Sequence, residues 1–218
     1  MKECDCREPH ERRRIVLTGG PGAGKSAVLE LVRQSLCKHF WIVPESAGIL
    51  FGGGFPRGSA LSQQRAAQRA IYFVQRELEN SIATEDLAIA LCDRGTIDGE
   101  AYWPDEVDLW SSVGTTKQAE LARYDAVIHL LTPQSQAGYN RDNPLRLEDA
   151  VQALAIDVRI AAAWAAYPHC YVVPATASFL EKASRALWIL RDGMPECCRG
   201  HIALPDTGGR RTDGAIGR

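Results

Sequence analysis

The sequence predicts an α/β fold: a doubly wound parallel sheet of about five strands, in a single domain. Three observations predict it. Short, continuously apolar segments alternate with segments whose apolar residues recur every three to four positions. A glycine-rich turn joins the first apolar segment to the first helical one. The 218 residues suffice for one domain of about 100–200 residues plus short tails. Of these residues 45% are hydrophobic and 24% charged, the balance of a chain with a buried core rather than a disordered, collagenous or coiled-coil one.

The elements follow in order. Arg14 to Thr18 (RIVLT) reads as a buried strand, followed by the glycine-rich turn and a helix from about Lys25 to Leu36. Phe40 to Val43 (FWIV) is a second strand. Ser59 to about Ser81 is a long helix, because Ala67, Ile71, Val74, Leu78 and Ile82 keep the spacing of one helical face. Leu87 to Cys92 (LAIALC) and Ala126 to Leu131 (AVIHLL) are the third and fourth strands. An Ala-rich helix from Leu147 to Tyr167, a strand from Cys170 to Val173 and a closing helix from Phe179 to Leu190 complete the domain. Residues 1–13 read as a flexible lead, 14–191 as the domain, and 192–218, ending GGRRTDGAIGR, as a disordered tail.

Charge and hydropathy exclude several classes. Lys plus Arg is 25 and Asp plus Glu 27, so the net charge is 25 − 27 = −2. That is no broad basic surface for duplex DNA or acidic membranes, and no nucleic-acid partner is expected. No apolar run approaches the roughly 18 residues of a membrane span. The opening MKECDCREPHERRR lacks the apolar stretch of a secretory signal, so a cytoplasmic location is expected.

Gly19-Gly20-Pro21-Gly22-Ala23-Gly24-Lys25-Ser26 satisfies G-x-x-x-x-G-K-[ST], with a strand before it and a helix after it. The glycines let successive N–H groups turn toward a β-phosphate, and the helix N-terminus adds positive partial charge. Lys25 is expected on the β- and γ-phosphates and the Ser26 hydroxyl on Mg²⁺. A nucleoside triphosphate, taken as ATP with Mg²⁺, is therefore the expected ligand. Gly52-Gly53-Gly54 has neither a strand before it nor a lysine after it; it reads as a loop, with a substrate lid as the alternative.

Ligands of doubly wound sheets bind at the carboxyl ends of the strands. Asp93 ends the third strand, placed to hold the Mg²⁺ hydration shell; a turn or helix-cap aspartate is the bland alternative. Glu45 follows the second strand, in WIVPES, where a carboxylate could take a proton from an acceptor hydroxyl or merely sit in the first turn of a helix. Arg94, in extended chain, would point away from Asp93 and toward an anionic or hydroxyl-rich acceptor. Arg141 and Arg146 lie in QAGYNRDNPLRLEDA, where a closing segment could carry one of them, Arg146 foremost, onto the triphosphate.

Seven cysteines, an odd number in a chain read as unexported, argue against a disulfide framework. Cys37, Cys92 and Cys170 read as small core residues. Cys4-Asp5-Cys6 with His10, and Cys197-Cys198 with His201, contain the residue types of a zinc site. Their spacing is not C-x₂-C, and no structural metal is expected there.

Several blocks together resemble a known group. LTGGPGAGKS, VPE after the second strand, DRGTIDGEAYW, NPLRLE before the Ala-rich helix and VVPATASFLEKASRAL are similar to the NadR-type AAA domain family. That group comprises the ribosylnicotinamide kinase part of the bacterial NAD regulator NadR, an insect GTP-binding protein and many bacterial ATP-binding proteins. The resemblance covers roughly residues 14–191 and implies a fold like that of small nucleoside and nucleotide kinases. It implies phosphate binding at Lys25, metal and acceptor contacts at Asp93 and Arg94, a base at Glu45 and a lid arginine at Arg146. Where such kinases carry an aromatic and Asp-Gly-Leu-Arg, this chain has Asn143-Pro144-Leu145-Arg146, so the acceptor does not carry over. The expected function is phosphoryl transfer from MgATP to a hydroxyl of a small, nucleoside-like acceptor. The alternative is a regulatory ATP or GTP switch with slow hydrolysis; it lacks an Asn-Lys-x-Asp guanine reader, the nearest stretch being Thr115-Thr116-Lys117-Gln118.

Overall fold

The structure, a computed structural model, describes residues 4–34, 37–83, 85–104, 108–133, 149–176 and 178–201. Strands β1 (Arg13–Thr18), β2 (Phe40–Val43), β3 (Ile89–Asp93), β4 (Ala126–Leu130) and β5 (Cys170–Val173) form one sheet in the order β2-β3-β1-β4-β5. Every pairing is parallel, with Val16 opposite Cys92 on one side and Val127 on the other. Successive side chains of β1 alternate between the two faces. Ile15 and Leu17 join Val28 and Val32 of helix α1 (Lys25–Arg33) and Leu187 of helix α8 (Phe179–Asp192). Val16 turns the other way, to Tyr72 of helix α3 (Leu61–Asn80) and to Ile160 and Trp164 of helix α7 (Ala150–Trp164). Both faces are covered, which is why the strands carry no polar alternation.

Shorter elements fill the connections. Helix α2 (Ser46–Gly52) follows β2, and a 3₁₀ turn (Thr96–Asp98) leads from β3 into α4 (Gly99–Tyr102), α5 (Leu109–Val113) and α6 (Lys117–Leu121). Of Gly52-Gly53-Gly54, read as a loop, Gly52 is the last residue of α2 and Gly53 its cap, and only Gly54, at φ 92°, lies beyond the helix. Among the described residues no helix is long and apolar enough to cross a membrane.

Three departures from the sequence reading have physical causes. Of the expected stripe, Ala67 and, just past the helix, Ile82 are buried, but Ile71, Val74 and Leu78 are half-buried and their neighbours Tyr72, Gln75 and Glu79 are buried instead. Glu79 and Glu120 are both fully buried, and Arg123 bridges them at 2.5 and 2.8 Å. Tyr72 and Thr96 donate to Glu120, and Tyr124 donates to Glu79. A buried carboxylate is tolerated only when fully paired, so this network turns the helix by one position. Second, the chain beyond residue 191 is not all tail: Met194, and Cys198 of the short helix α9 (Glu196–Arg199), are buried in the core. Third, the lead is tied down before β1, since the Arg12 guanidinium donates to the carbonyls of Ala83 and Glu85. Helix ends differ from the expected ones by one to three residues, as fraying termini do.

Candidate active site

Strand β1 ends in the glycine-rich loop at the centre of the sheet. Gly19 has φ 141°, and a Cβ there would lie 2.2 Å from the Leu130 carbonyl oxygen, so only glycine passes this close to β4. Gly24, the cap of α1, is left-handed at φ 94°. No side chain caps α1 and its first turn carries no acid, which leaves its N–H groups to an anion. The Lys25 ammonium donates to the carbonyls of Gly19 and Gly20, at 2.7 and 3.2 Å. Burial first, then the Arg94 charge, lowers its pKa to about 8. Ser26, next along the helix, is exposed.

Two residues that the sequence analysis did not single out, Asp157 and Lys182 (the latter inside the VVPATASFLEKASRAL block), clamp this loop. Asp157 of α7 accepts from the Gly20 N–H at 2.7 Å and from the Thr132 N–H at 2.9 Å, and lies 2.9 Å from His129 Nε2. Burial would raise its carboxyl, but these hydrogen bonds hold it below the usual range. Lys182 of α8, also buried, donates to the carbonyls of Ala23 (2.7 Å) and Leu131 (2.5 Å). Burial lowers its pKa to about 8. The signal existed in the sequence: each is a charged residue in register with an apolar helix face, Asp157 beside Ile156 and Ile160, Lys182 beside Ala183 and Ala186.

The acidic side is built at the ends of β2 and β3. Arg94 does not continue β3 in extended form, as the sequence suggested; it is left-handed, at φ 73°. A non-glycine residue there costs on the order of 1 kcal/mol. Its partners hold it: its N–H donates to the Leu17 carbonyl, its Nε to Glu45 Oε1 at 2.6 Å, and its Nη1 lies 3.4 Å from Asp98 Oδ2. The guanidinium also lies over the Tyr102 ring, 5.5 Å from its centre. Asp98, a second residue that sequence reasoning left within its block, is 2% exposed. It accepts from the Thr18 hydroxyl and the Trp164 indole N–H, both at 2.6 Å.

Glu45 caps α2. Burial alone would raise its carboxyl, but the Arg94 and Lys25 charges outweigh it and hold the group below its ordinary value, so it is ionised. Asp93 is opposite in character. Burial and then the Glu45 charge raise it to about 6, and among the described residues its buried Oδ1 has no hydrogen-bond partner. Lys25, Glu45, Asp93 and Arg94 thus form one electrostatically coupled group at the carboxyl ends of β1, β2 and β3. Arg141 and Arg146 lie outside the described residues.

Known proteins share this architecture. The deoxyadenosine kinase of M. mycoides, solved with bound dATP, superposes with a TM-score of 0.57 at 15% identity, covering 82% of this chain and 98% of that one. The thymidylate kinase of Ehrlichia chaffeensis gives 0.54 at 15% identity over 82% and 98%. TT1252 from Thermus thermophilus gives 0.54 at 15% over 85% and 99%. At this identity the likeness is one of fold: a single-domain, P-loop α/β protein with the layout of nucleoside and nucleotide kinases. No curated protein matches the chain by sequence. A family of AAA domains does match, over residues 14–182, a span that holds the phosphate loop and the whole acidic side, and the chain belongs to that family.

Proposed function

We propose that the chain is a Mg²⁺-dependent kinase, of the NadR-like kind, that moves the γ-phosphoryl group of ATP to a hydroxyl of a small, nucleoside-like acceptor. The observation that carries this reading is the Glu45–Arg94 pair, 2.6 Å apart, whose carboxylate lies close enough to Lys25 to shift its titration. An ionised carboxylate on that side repels a γ-phosphate. A switch that only holds nucleotide gains nothing from it, whereas a kinase uses it to receive the acceptor proton. In the transfer, the bond from Pγ to the β–γ bridging oxygen breaks and one from Pγ to the acceptor oxygen forms. The hydroxyl proton passes to Glu45, and Arg94 keeps that carboxylate oriented.

The residues present fit a magnesium ion. Among the described residues Asp93 Oδ1 is a buried anionic oxygen in want of a cation or its water, and Ser26 is the second residue of α1, next to Lys25. Mg²⁺, when bound, neutralises charge on the β- and γ-oxygens; Ser26 and Asp93 would hold it. Lys25 and the N–H groups of residues 19–26 bind the triphosphate, with Asp157 and Lys182 keeping the loop in shape. Arg146 is proposed to meet the phosphates from the lid side. The nucleoside-like acceptor is supported by the kinases that share the fold.

The test is ATP consumption with and without a panel of nucleosides, for the wild type and Glu45→Gln. Acceptor-stimulated consumption in the wild type, reduced by about 10²-fold or more in the variant at unchanged ATP affinity, is expected. Consumption that no acceptor stimulates, or a variant that loses water-driven hydrolysis alone, would give the site to a nucleotide switch.

A further inference from the structure

The opposite end of the sheet carries a second constellation, independent of the kinase reading. Cys37 and His39 stand just before β2, hence at the amino ends of the strands, away from the phosphate loop. Cys4 comes to them from the lead and Cys198 from α9. The four ligand atoms, three Sγ and one ring nitrogen, all lie within 4.8 Å of one another. His39 Nδ1 is 3.6 Å from Cys4 Sγ and 3.4 Å from Cys198 Sγ, and the Cys37 and Cys198 sulfurs are 3.6 Å apart. A tetrahedral zinc ion with Zn–S of about 2.3 Å and Zn–N of about 2.0–2.1 Å needs S···S edges of about 3.8 Å and S···N edges of about 3.6 Å. Three of the six edges, at 3.4–3.6 Å, come within a few tenths of an ångström of those lengths, and the other three lie within 4.8 Å.

Simple packing does not account for the group. Buried thiols alone pass as small apolar side chains, but His39 is 2% exposed, and its Nδ1 is turned to two sulfurs, which are poor hydrogen-bonding partners. Its backbone carbonyl is fixed on β3 by the N–H groups of Ala88 and Ile89, at 2.8 and 3.0 Å, so the ring is held in this place. None of the cysteines forms a disulfide. A second set of the same chemistry adjoins it: His10 Nε2 lies 3.5 Å from Cys6 Sγ and 3.4 Å from Cys197 Sγ, and the His10 ring meets the His39 ring edge-on.

We infer that Cys4, Cys37, His39 and Cys198 form a closed Cys₃His site for a structural zinc ion, which joins the lead and α9 to the start of β2. Binding converts three thiols to thiolates and releases their three protons to solvent. The ion closes loops of very different length, and its binding free energy adds to that of folding. The spacing rule that argued against a metal applies to ligand pairs on one local turn. Here only Cys37 and His39 are local; Cys198 is 159 residues from His39.

The test uses the full chain, purified under reductant from zinc-supplemented culture. Zinc content is measured by elemental analysis after exposure to a weak chelator, and Co²⁺ replaces zinc as a spectroscopic probe. One retained equivalent is expected, with the thiolate charge-transfer and intense d–d bands of tetrahedral Co²⁺. Loss of an outer hydrogen-bond partner already costs a zinc site about 10–100-fold in affinity, so Cys4→Ser, at the chain's edge, should cost at least that while circular dichroism stays native. Cys6→Ser should keep the tight equivalent. A folded wild type that takes up neither metal would overturn the site. So would Cys4→Ser binding as the wild type does, loss of the tight equivalent in Cys6→Ser, or a chain lighter by two hydrogens because Cys37 and Cys198 are joined.

Discussion

The two ends of the sheet gather their polar groups in different ways. At the carboxyl ends of the strands the phosphate loop is one run from Gly19 to Ser26, and its shape is local: three glycines at positive φ (Gly19, Gly22, Gly24) and a helix start. At the amino ends Cys4, Cys37, His39 and Cys198 come from three remote stretches and meet only because β2, the lead and α9 share one edge of the core. A local site is written into spacing, and a distributed one is not. The same contrast holds among the buried acids. Glu79 and Glu120 have their oxygens filled by arginine, tyrosine and threonine, as structural charges must, whereas among the described residues an Asp93 oxygen has no partner. Saturated carboxylates hold the fold; an unsaturated one is what the proposed Mg²⁺ site requires.

Four measurements would separate the two ends of the sheet. The largest effect is expected from Lys25→Ala, which should abolish measurable ATP binding in calorimetry while the fold stays intact, since Lys25 opens α1 and an alanine there costs the helix little. Unchanged affinity in a folded variant would remove the phosphate loop from the site. Asp93→Asn should cut turnover by about 10²-fold or more and shift the Mg²⁺ titration upward. Because ionised Asp93 is disfavoured by burial, its pKa being raised to about 6, the variant's ligand-free melting temperature at neutral pH should not fall. A fall in Tm with normal turnover would make Asp93 a structural acid.

The third experiment addresses the other end. Stripping zinc with a strong chelator should lower Tm by at least about 4 °C, the equivalent of about 1–2 kcal/mol in a chain of this size, with the KM for ATP unchanged. A change in KM without a change in Tm would mean that the two ends are not separate. The smallest effect concerns Lys182. Its folded pKa of about 8 lies below the ordinary 10.5, so the unfolded chain binds more protons between those values. Stability should therefore rise as pH climbs from about 8 toward 10.5. Thermal melts of Lys182→Met should lack that increment; an identical pH slope in both proteins would refute it.

Much was legible because the strands are short, apolar and parallel. Cys170–Val173 and Phe40–Val43 have the bounds read from sequence, and the glycine-rich loop announced itself. Glu45, Asp93 and Arg94 were legible as residues at strand ends, but the left-handed turn that sends Arg94 back to Glu45 was not. That turn is stabilised by partners on β1, α2 and the 3₁₀ turn, none of them its sequence neighbours apart from Asp98. Along α3 Ala67 is buried as read, but at Ile71, Val74 and Leu78 the buried face lies one position further on, because periodicity weighs apolarity and has no means of knowing that Arg123 waits opposite Glu79.

Although α2, the 3₁₀ turn, α4, α5, α6 and α9 were not legible, local sequence determined the fold class, the five strands, helices α1, α3, α7 and α8 and the phosphate loop. Each of these depends on residues within about one helical turn or one strand of each other, where side-chain periodicity and glycine's backbone freedom act directly. Only the tertiary structure decided which charges are paired and which are open, how Asp157 and Lys182 clamp the loop, and that three cysteines and a histidine converge at the far end of the sheet. Those outcomes depend on distances between segments far apart in the chain, which are set when the two faces of the sheet are buried and not before.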